Sequence, residues 1–108
     1  MFGKFKDLKK VAELKSKMSK IEKQFKAMRI EESGMDGRIK VAVNGLGEVV
    51  EIKLEPDLFE GKVDVKKIEK TLINAINSAQ KKAKNMAAQK MQELMNELPP
   101  EVRRMMGG

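Results

Sequence analysis

A chain of 108 residues has room for one hydrophobic core and not two. With 41% hydrophobic and 36% charged residues, and only four Phe and no Trp or Tyr, that core is expected to be small and built largely of aliphatic side chains. The absence of Cys and His excludes disulfides, thiolate nucleophiles, imidazole acid–base chemistry and ordinary zinc sites, and with them most enzyme classes.

The net charge of +7 is unevenly placed: residues 1–29 carry +7, residues 30–63 carry −4, residues 64–98 carry +3 and the remainder +1. No apolar stretch approaches the ~20 residues of a membrane span, and MFGKFKDLKK lacks the apolar run of a secretory signal, so a cytoplasmic protein is expected.

From about Phe5, the residues Val11, Leu14, Met18, Ile21, Phe25 and Met28 recur at spacings of three and four, the a/d seam of a short amphipathic helix. Its other positions are crowded with Lys6, Lys9, Lys10, Lys15, Lys17, Lys20, Lys23 and Lys26, opposed by Asp7, Glu13 and Glu22. Like charges at this density repel one another, and an anionic partner would relieve that repulsion. Residues 28–33 fit either a last helical turn or a short first strand, with the strand preferred, and Ser33-Gly34 and Asp36-Gly37 are turn formers.

Ile39, Val41 and Val43, then Val50, Ile52 and Leu54, alternate with polar or small residues at the period of half-buried strands. Asn44-Gly45 between them marks an antiparallel hairpin. A four-residue loop sets Val41 opposite Val50, Ile39 opposite Ile52 and Lys40 opposite Glu51. Pro56 ends the second strand of the hairpin, and Leu58-Phe59 is expected to make one helical turn ending at Gly61.

Asp64 is the predicted N-cap of a second long helix that stops before Pro99-Pro100. Its apolar face runs through Val65, Ile68, Leu72, Ile76, Ala79, Ala83, Met86, Leu94 and Leu98, with a small-residue stripe at Ala75, Ala79, Ala83 and Ala87 that permits close packing. Helices of roughly 24 and 34 residues, about 36 and 50 Å long, overhang strands of ~17–20 Å. The overhanging Met86, Met91, Leu94, Met95 and Leu98 and the free strand edge need cover, which a second copy would supply. A homodimer is expected, with Ile39, Val41, Val43, Val50, Ile52, Leu72, Ala75 and Ala79 as its interface.

No phosphate-cradling Gly loop or metal cluster is recognisable, and the acids at 31, 32, 48, 51, 55, 57 and 60 are expected to be solubilising charge. Neither a cofactor nor a small-molecule substrate is implied. Of the 23 cationic residues only Arg29, Arg38, Arg103 and Arg104 are Arg. Lys suits phosphate neutralisation, base-edge reading favours Arg, Asn or Gln, and the lack of Tyr and Trp disfavours stacking on single strands. The expected partner is therefore double-stranded DNA, held by Lys4, Lys6, Lys9, Lys10, Lys15, Lys17 and Lys20, with Lys81, Lys82 and Lys84 as a second set. Two rival readings are a helical adaptor gripping a protein through Leu14, Met18, Ile21 and Phe25, and a membrane-surface helix using Phe2, Phe5 and Leu8.

The start Met1-Phe2-Gly3-Lys4, the signature Val41-Ala42-Val43-Asn44-Gly45, the run Val50-Glu51-Ile52 leading to Pro56-x-Leu58, and Leu72-Ile73-Asn74-Ala75-x-Asn77-x-Ala79 resemble the YbaB/EbfC nucleoid-associated proteins. The resemblance implies an α+β fold in one domain: an α-β-β-β-α protomer whose small antiparallel sheet is flanked by two long helices. Here these are a basic helix over 1–29, a meander over 30–55, a helix over 64–98 and a tail over 99–108. It further implies a tweezer-like, DNA-binding homodimer located at the bacterial nucleoid. The first helix is richer in Lys than the Gln- and Met-rich helix associated with that family, a departure that favours general DNA affinity over sequence preference.

Overall fold

The computed structural model describes the fold of residues 2–105, and the side chains of residues 8–101, 103 and 104. Helix α1 (Phe2–Ala27) leads into β1 (Ile30–Gly34), β2 (Ile39–Val43) and β3 (Val49–Leu54). A 3-10 turn (Pro56–Phe59) then connects to α2 (Val65–Glu97) and a short α3 (Pro100–Met105). The strands form one antiparallel sheet in the order β1-β2-β3. This is the predicted α-β-β-β-α order, with α3 added.

Helix α2 begins where Asp64 caps it, the carboxylate accepting the backbone N–H of Lys67 at 3.1 Å. Its alanine stripe then lies on the sheet: Ala75, Ala79 and Ala83 are buried with Ile30, Val41 and Val43, while Leu72 and Ile76 pack at the margin. Having only methyl groups here, α2 approaches the strands closely. A Cβ on Gly34 would collide with Thr71 Cγ2. A second cluster joins Ile39, Leu58 and Ile68 with Met35, Leu54, Val63 and Leu72, so the 3-10 turn does close the end of the core. Five of the expected dimer-interface residues, Ile39, Val41, Val43, Ala75 and Ala79, are thus buried inside the protomer, and Leu72 is half-buried there. Their alternation reports the intramolecular helix–sheet interface.

The hairpin register differs from the four-residue-loop expectation. Val41 faces Ile52, Ile39 faces Leu54 and Lys40 faces Lys53, with a shift between Ala42 and Val43 that leaves Val50 as the extra residue of β3. The cause is Asn44, 5% exposed, which organises a longer turn. Its Oδ1 accepts the N–H groups of Leu46 at 2.9 Å and Glu48 at 3.1 Å, its Nδ2 donates to Glu48 Oε1 at 2.8 Å, and its own N–H donates to Glu48 O at 2.9 Å. The left-handed residue of this turn is Gly47 (φ 82°), not Gly45. Gly45 serves close approach: its N–H donates to Phe25 O at 2.7 Å, and a Cβ there would lie 2.9 Å from Phe25 Cα. This contact ties the hairpin tip to the last turn of α1.

On the sheet face away from α2, Arg29 spans all three strands. Its Nε donates to Glu31 at 2.6 Å and its Nη2 to Glu51 at 2.5 Å, the two acids that flank Ala42 in register. Ala42 is buried between these two acids. The hydrogen bond and charge of Arg29, aided by Lys40, hold the Glu31 carboxyl below the usual carboxylate range.

Beyond the sheet, α1 and the C-terminal half of α2 run antiparallel. Phe25 and Met28 lie beside Met86, Gln89 and Lys90, while Lys17 and Ile21 lie beside Leu94 and Glu97. Leu94 and Leu98 are buried, and Met91 and Met95 half-buried. Of the overhang expected to need a partner, Met91, Leu94, Met95 and Leu98 are therefore covered within the chain, whereas Met86 stays 39% exposed. The protomer measures 75 × 21 × 16 Å, with a radius of gyration of 20.5 Å, against about 13 Å for a globule of this length.

Gly45→Ala should lower unfolding stability by about 1–3 kcal/mol through overpacking, and Asn44→Ala by a similar amount through unsatisfied turn N–H groups, both read by urea unfolding. Unchanged stability in Gly45→Ala would contradict the close approach to Phe25. In Arg29→Gln, NMR titration should show the Glu31 pKa rising toward its ordinary value. In the parent chain, the stability from this pair is present above the unfolded-state Glu pKa and lost as pH falls through the depressed folded one; the variant should lack that acid-dependent loss.

Candidate nucleic-acid interface

The described part of α1 displays lysines at positions outside its a/d seam, which is half-buried toward α2 except at the exposed Met18. Val11, Leu14, Ile21, Phe25 and Met28 are half-buried, whereas Lys9, Lys15, Lys17 and Lys20 are exposed. Lys17 and Lys20 border one groove between the helices together with Lys90, Glu93 and Glu97. Lys15 borders a groove on the other side, beside Met18, Phe25, Leu46 and Met91. The cations therefore flank the helix pair on both sides. Lys10 is half-buried, and its Nζ lies 3.1 Å from Glu101 Oε2 of α3. Lys4 and Lys6 fall within α1, but their side chains lie outside the described residues, as do those of Phe2 and Phe5.

The second expected set is not continuous with the first. Lys81 and Lys84 are exposed on the part of α2 that covers the sheet, with Lys84 beside the hairpin tip at Gly45, Leu46 and Gly47. Lys82 reaches across to β1 and pairs with Glu32. That carboxylate shares the strand face of Val41, through its register partner, so Lys82 closes the β1 side of the helix–sheet interface. Lys82 is exposed but Glu32 is half-buried with its Oε1 out of solvent, so the lysine is the cation that offsets a carboxylate held at the interface.

Lys23 and Lys26, omitted from the expected site, are exposed and extend the α1 row toward the sheet, and Lys90 adds to it from α2. Lys23 and Lys26 were visible as members of the same basic helix. Lys90 was not, because its nearness to Lys17 and Lys20 depends on how the two helices pair.

Among the described residues, no group of three or more carboxylates could hold a metal ion, and no helix is long and apolar enough to cross a membrane. The arrangement offers a flexible set of point charges along both flanks of a rod, which fits phosphates and gives little base discrimination.

Residues 2–98 match the model of the YbaB/EbfC DNA-binding family. A protein of Agrobacterium fabrum named nucleoid-associated protein Atu0095 is 35% identical over 91 residues, covering 83% of each chain. One from Dictyoglomus thermophilum, also named a nucleoid-associated protein, is 32% identical over 95 residues, covering 88% of this chain and 90% of its own. The crystal structure of the uncharacterized protein HP0035 from Helicobacter pylori shares the fold, with a TM-score of 0.71 at 22% identity, over 79% of this chain and 88% of that one. The chain belongs to the YbaB/EbfC DNA-binding family.

Proposed function

We propose that this protein is a nucleoid-associated protein that binds double-stranded DNA as a homodimer, with low sequence specificity, and alters DNA conformation by neutralising and bridging phosphates. The observation that carries the reading is the exposed set of lysines on α1, Lys9, Lys15, Lys17, Lys20, Lys23 and Lys26, on a rod whose apolar seam is half-buried at Val11, Leu14, Ile21, Phe25 and Met28. At 26 residues, α1 is about 39 Å long, so one arm runs beside roughly one turn of duplex. Binding would be driven by release of the counterions condensed on the phosphates. Gene expression would respond indirectly, through DNA shape.

The dimer reading rests on an incomplete cover over the sheet. Helix α2 packs across β1 and β2 and leaves Val50 52% and Ile52 46% exposed on β3, although Ile52 shares the face of the buried Val41. Gln80 Nε2 donates to Gly47 O at 3.0 Å, which identifies the flank of α2 that looks toward β3. Ile73, about two turns earlier on that flank, is 58% exposed. Ile52 on β3 and Ile73 on α2 are exposed apolar side chains suited to burial against a second copy. The adaptor reading has less surface to work with, since Leu14, Ile21 and Phe25 are half-buried and only Met18 of its four residues is exposed.

In a duplex titration over a salt series, log K should fall against log salt with a slope of roughly −5 to −9, as six to ten phosphate contacts require. Replacing Lys9, Lys15, Lys17 and Lys20 by Glu should abolish binding, and a slope near zero in the parent chain would remove the electrostatic mechanism. Sedimentation should show a dimer at micromolar concentration and a folded monomer for Ile52→Glu. A parent chain that sediments as a monomer would refute the proposed dimer.

A further inference from the structure

We infer that α3 is a DNA-contacting element in its own right: it folds back onto the arm so that Arg103 and Arg104 extend the lysine row at its far end, while Glu101 partly neutralises that row. The inference rests on the DNA reading above but is separable from it, because the family match ends at residue 98 and α3 lies beyond it.

Three contacts place the element. The chain leaves α2 at Leu98, a buried C-cap residue whose N–H donates to Met95 O at 3.3 Å. Pro99-Pro100 then breaks the helix and starts α3, Pro at the first helical position matching its fixed φ. Arg103 Nε donates back to Leu98 O at 3.1 Å, closing the turn and leaving its two Nη groups for other partners. Glu101 meets Lys10 of α1 at 3.1 Å, although the two lie 91 residues apart in sequence.

On α3, Arg104 follows Glu101 by three residues and so shares its side of the helix, the side facing Lys10. Arg103 and Arg104 are both exposed, and Arg104 has no ion-pair partner among the described residues. The chain thus sets Arg104 on the side of α3 that meets Lys10, with Arg103 at the same end of the arm. A guanidinium grips phosphate bidentately and can also read guanine in a groove, neither of which Lys does as well. Glu101 has the opposite effect. It competes with phosphate for Lys10, and a 3.1 Å pair between exposed or half-buried groups is weak enough for DNA to displace.

The test uses the full chain and a short fluorescent duplex, with anisotropy titrations over a salt series and circular dichroism to confirm folding. Arg103→Gln/Arg104→Gln should weaken binding by roughly tenfold near 0.1 M salt and make the log K slope shallower by roughly 1–2. Arg104→Gln alone, which removes no contact within the chain, should give about half the slope change. Glu101→Gln should tighten binding. If both arginine variants bind as the parent does while charge reversal on α1 abolishes binding, α3 makes no DNA contact and the inference fails with the DNA reading intact. Weaker binding by Glu101→Gln would mean that α3 acts only by bracing the arm, which also overturns it. If charge reversal on α1 has no effect either, the DNA reading itself falls.

Discussion

The packing of three alanine methyls against valines governs the rest of this molecule. Ala75, Ala79 and Ala83 bring α2 down onto Val41 and Val43, and larger residues there would lift the helix and open the core. The sheet is too short to occupy more than part of α2. Strands of five or six residues span about 17–20 Å, whereas the 33 residues of α2 span about 50 Å. The excess helix must find another partner, and the heptad seam of α1 meets it. The arm is therefore a consequence of length mismatch, and its direction is set where Gly45 N–H meets Phe25 O.

From this follows the distribution of charge. Once Ile21, Leu94 and Leu98 face inward along the arm, the remaining positions of α1 face water and carry Lys at a density that repels itself. Near the sheet two of the cations are instead used internally. Arg29 clamps Glu31 and Glu51 across Ala42, and Lys82 pairs with Glu32. The acidic strand region and the basic arms seen in the raw sequence thus become a structural ion-pair zone and a free cationic rod.

Much of the fold was legible because it depends on local pattern. Alternation located β2 and β3 and the buried face of β2, Asp64 and Pro99-Pro100 bounded α2, and Pro56 ended β3. Three features were not, each for a physical reason. The register escaped because Asn44 holds two turn N–H groups and lengthens the loop, a choice that the dipeptide Asn-Gly does not encode. The fate of the apolar overhang escaped because a heptad seam identifies a face without naming its partner, and α1 and α2 found each other. The roles of Arg29 and Lys82 escaped because their acidic partners are brought close by strand pairing and by helix–sheet packing. Of the site, the lysines of α1 were legible by simple counting, while Lys90 and the placement of Arg103 and Arg104 required the tertiary pairing of the arm.

The central claim is that the arm, and not the open face of the sheet, is the surface that meets DNA. Both regions carry exposed lysines, Lys9, Lys15, Lys17 and Lys20 on α1, and Lys40 opposite Lys53 on the sheet, so the two surfaces can be compared in one molecule. Reductive methylation of lysines with and without bound duplex, read residue by residue by mass spectrometry, makes that comparison directly. The account predicts strong protection of the α1 lysines with Lys40 and Lys53 modified at their free rate. Protection of Lys40 and Lys53 with the α1 lysines still reactive would contradict it.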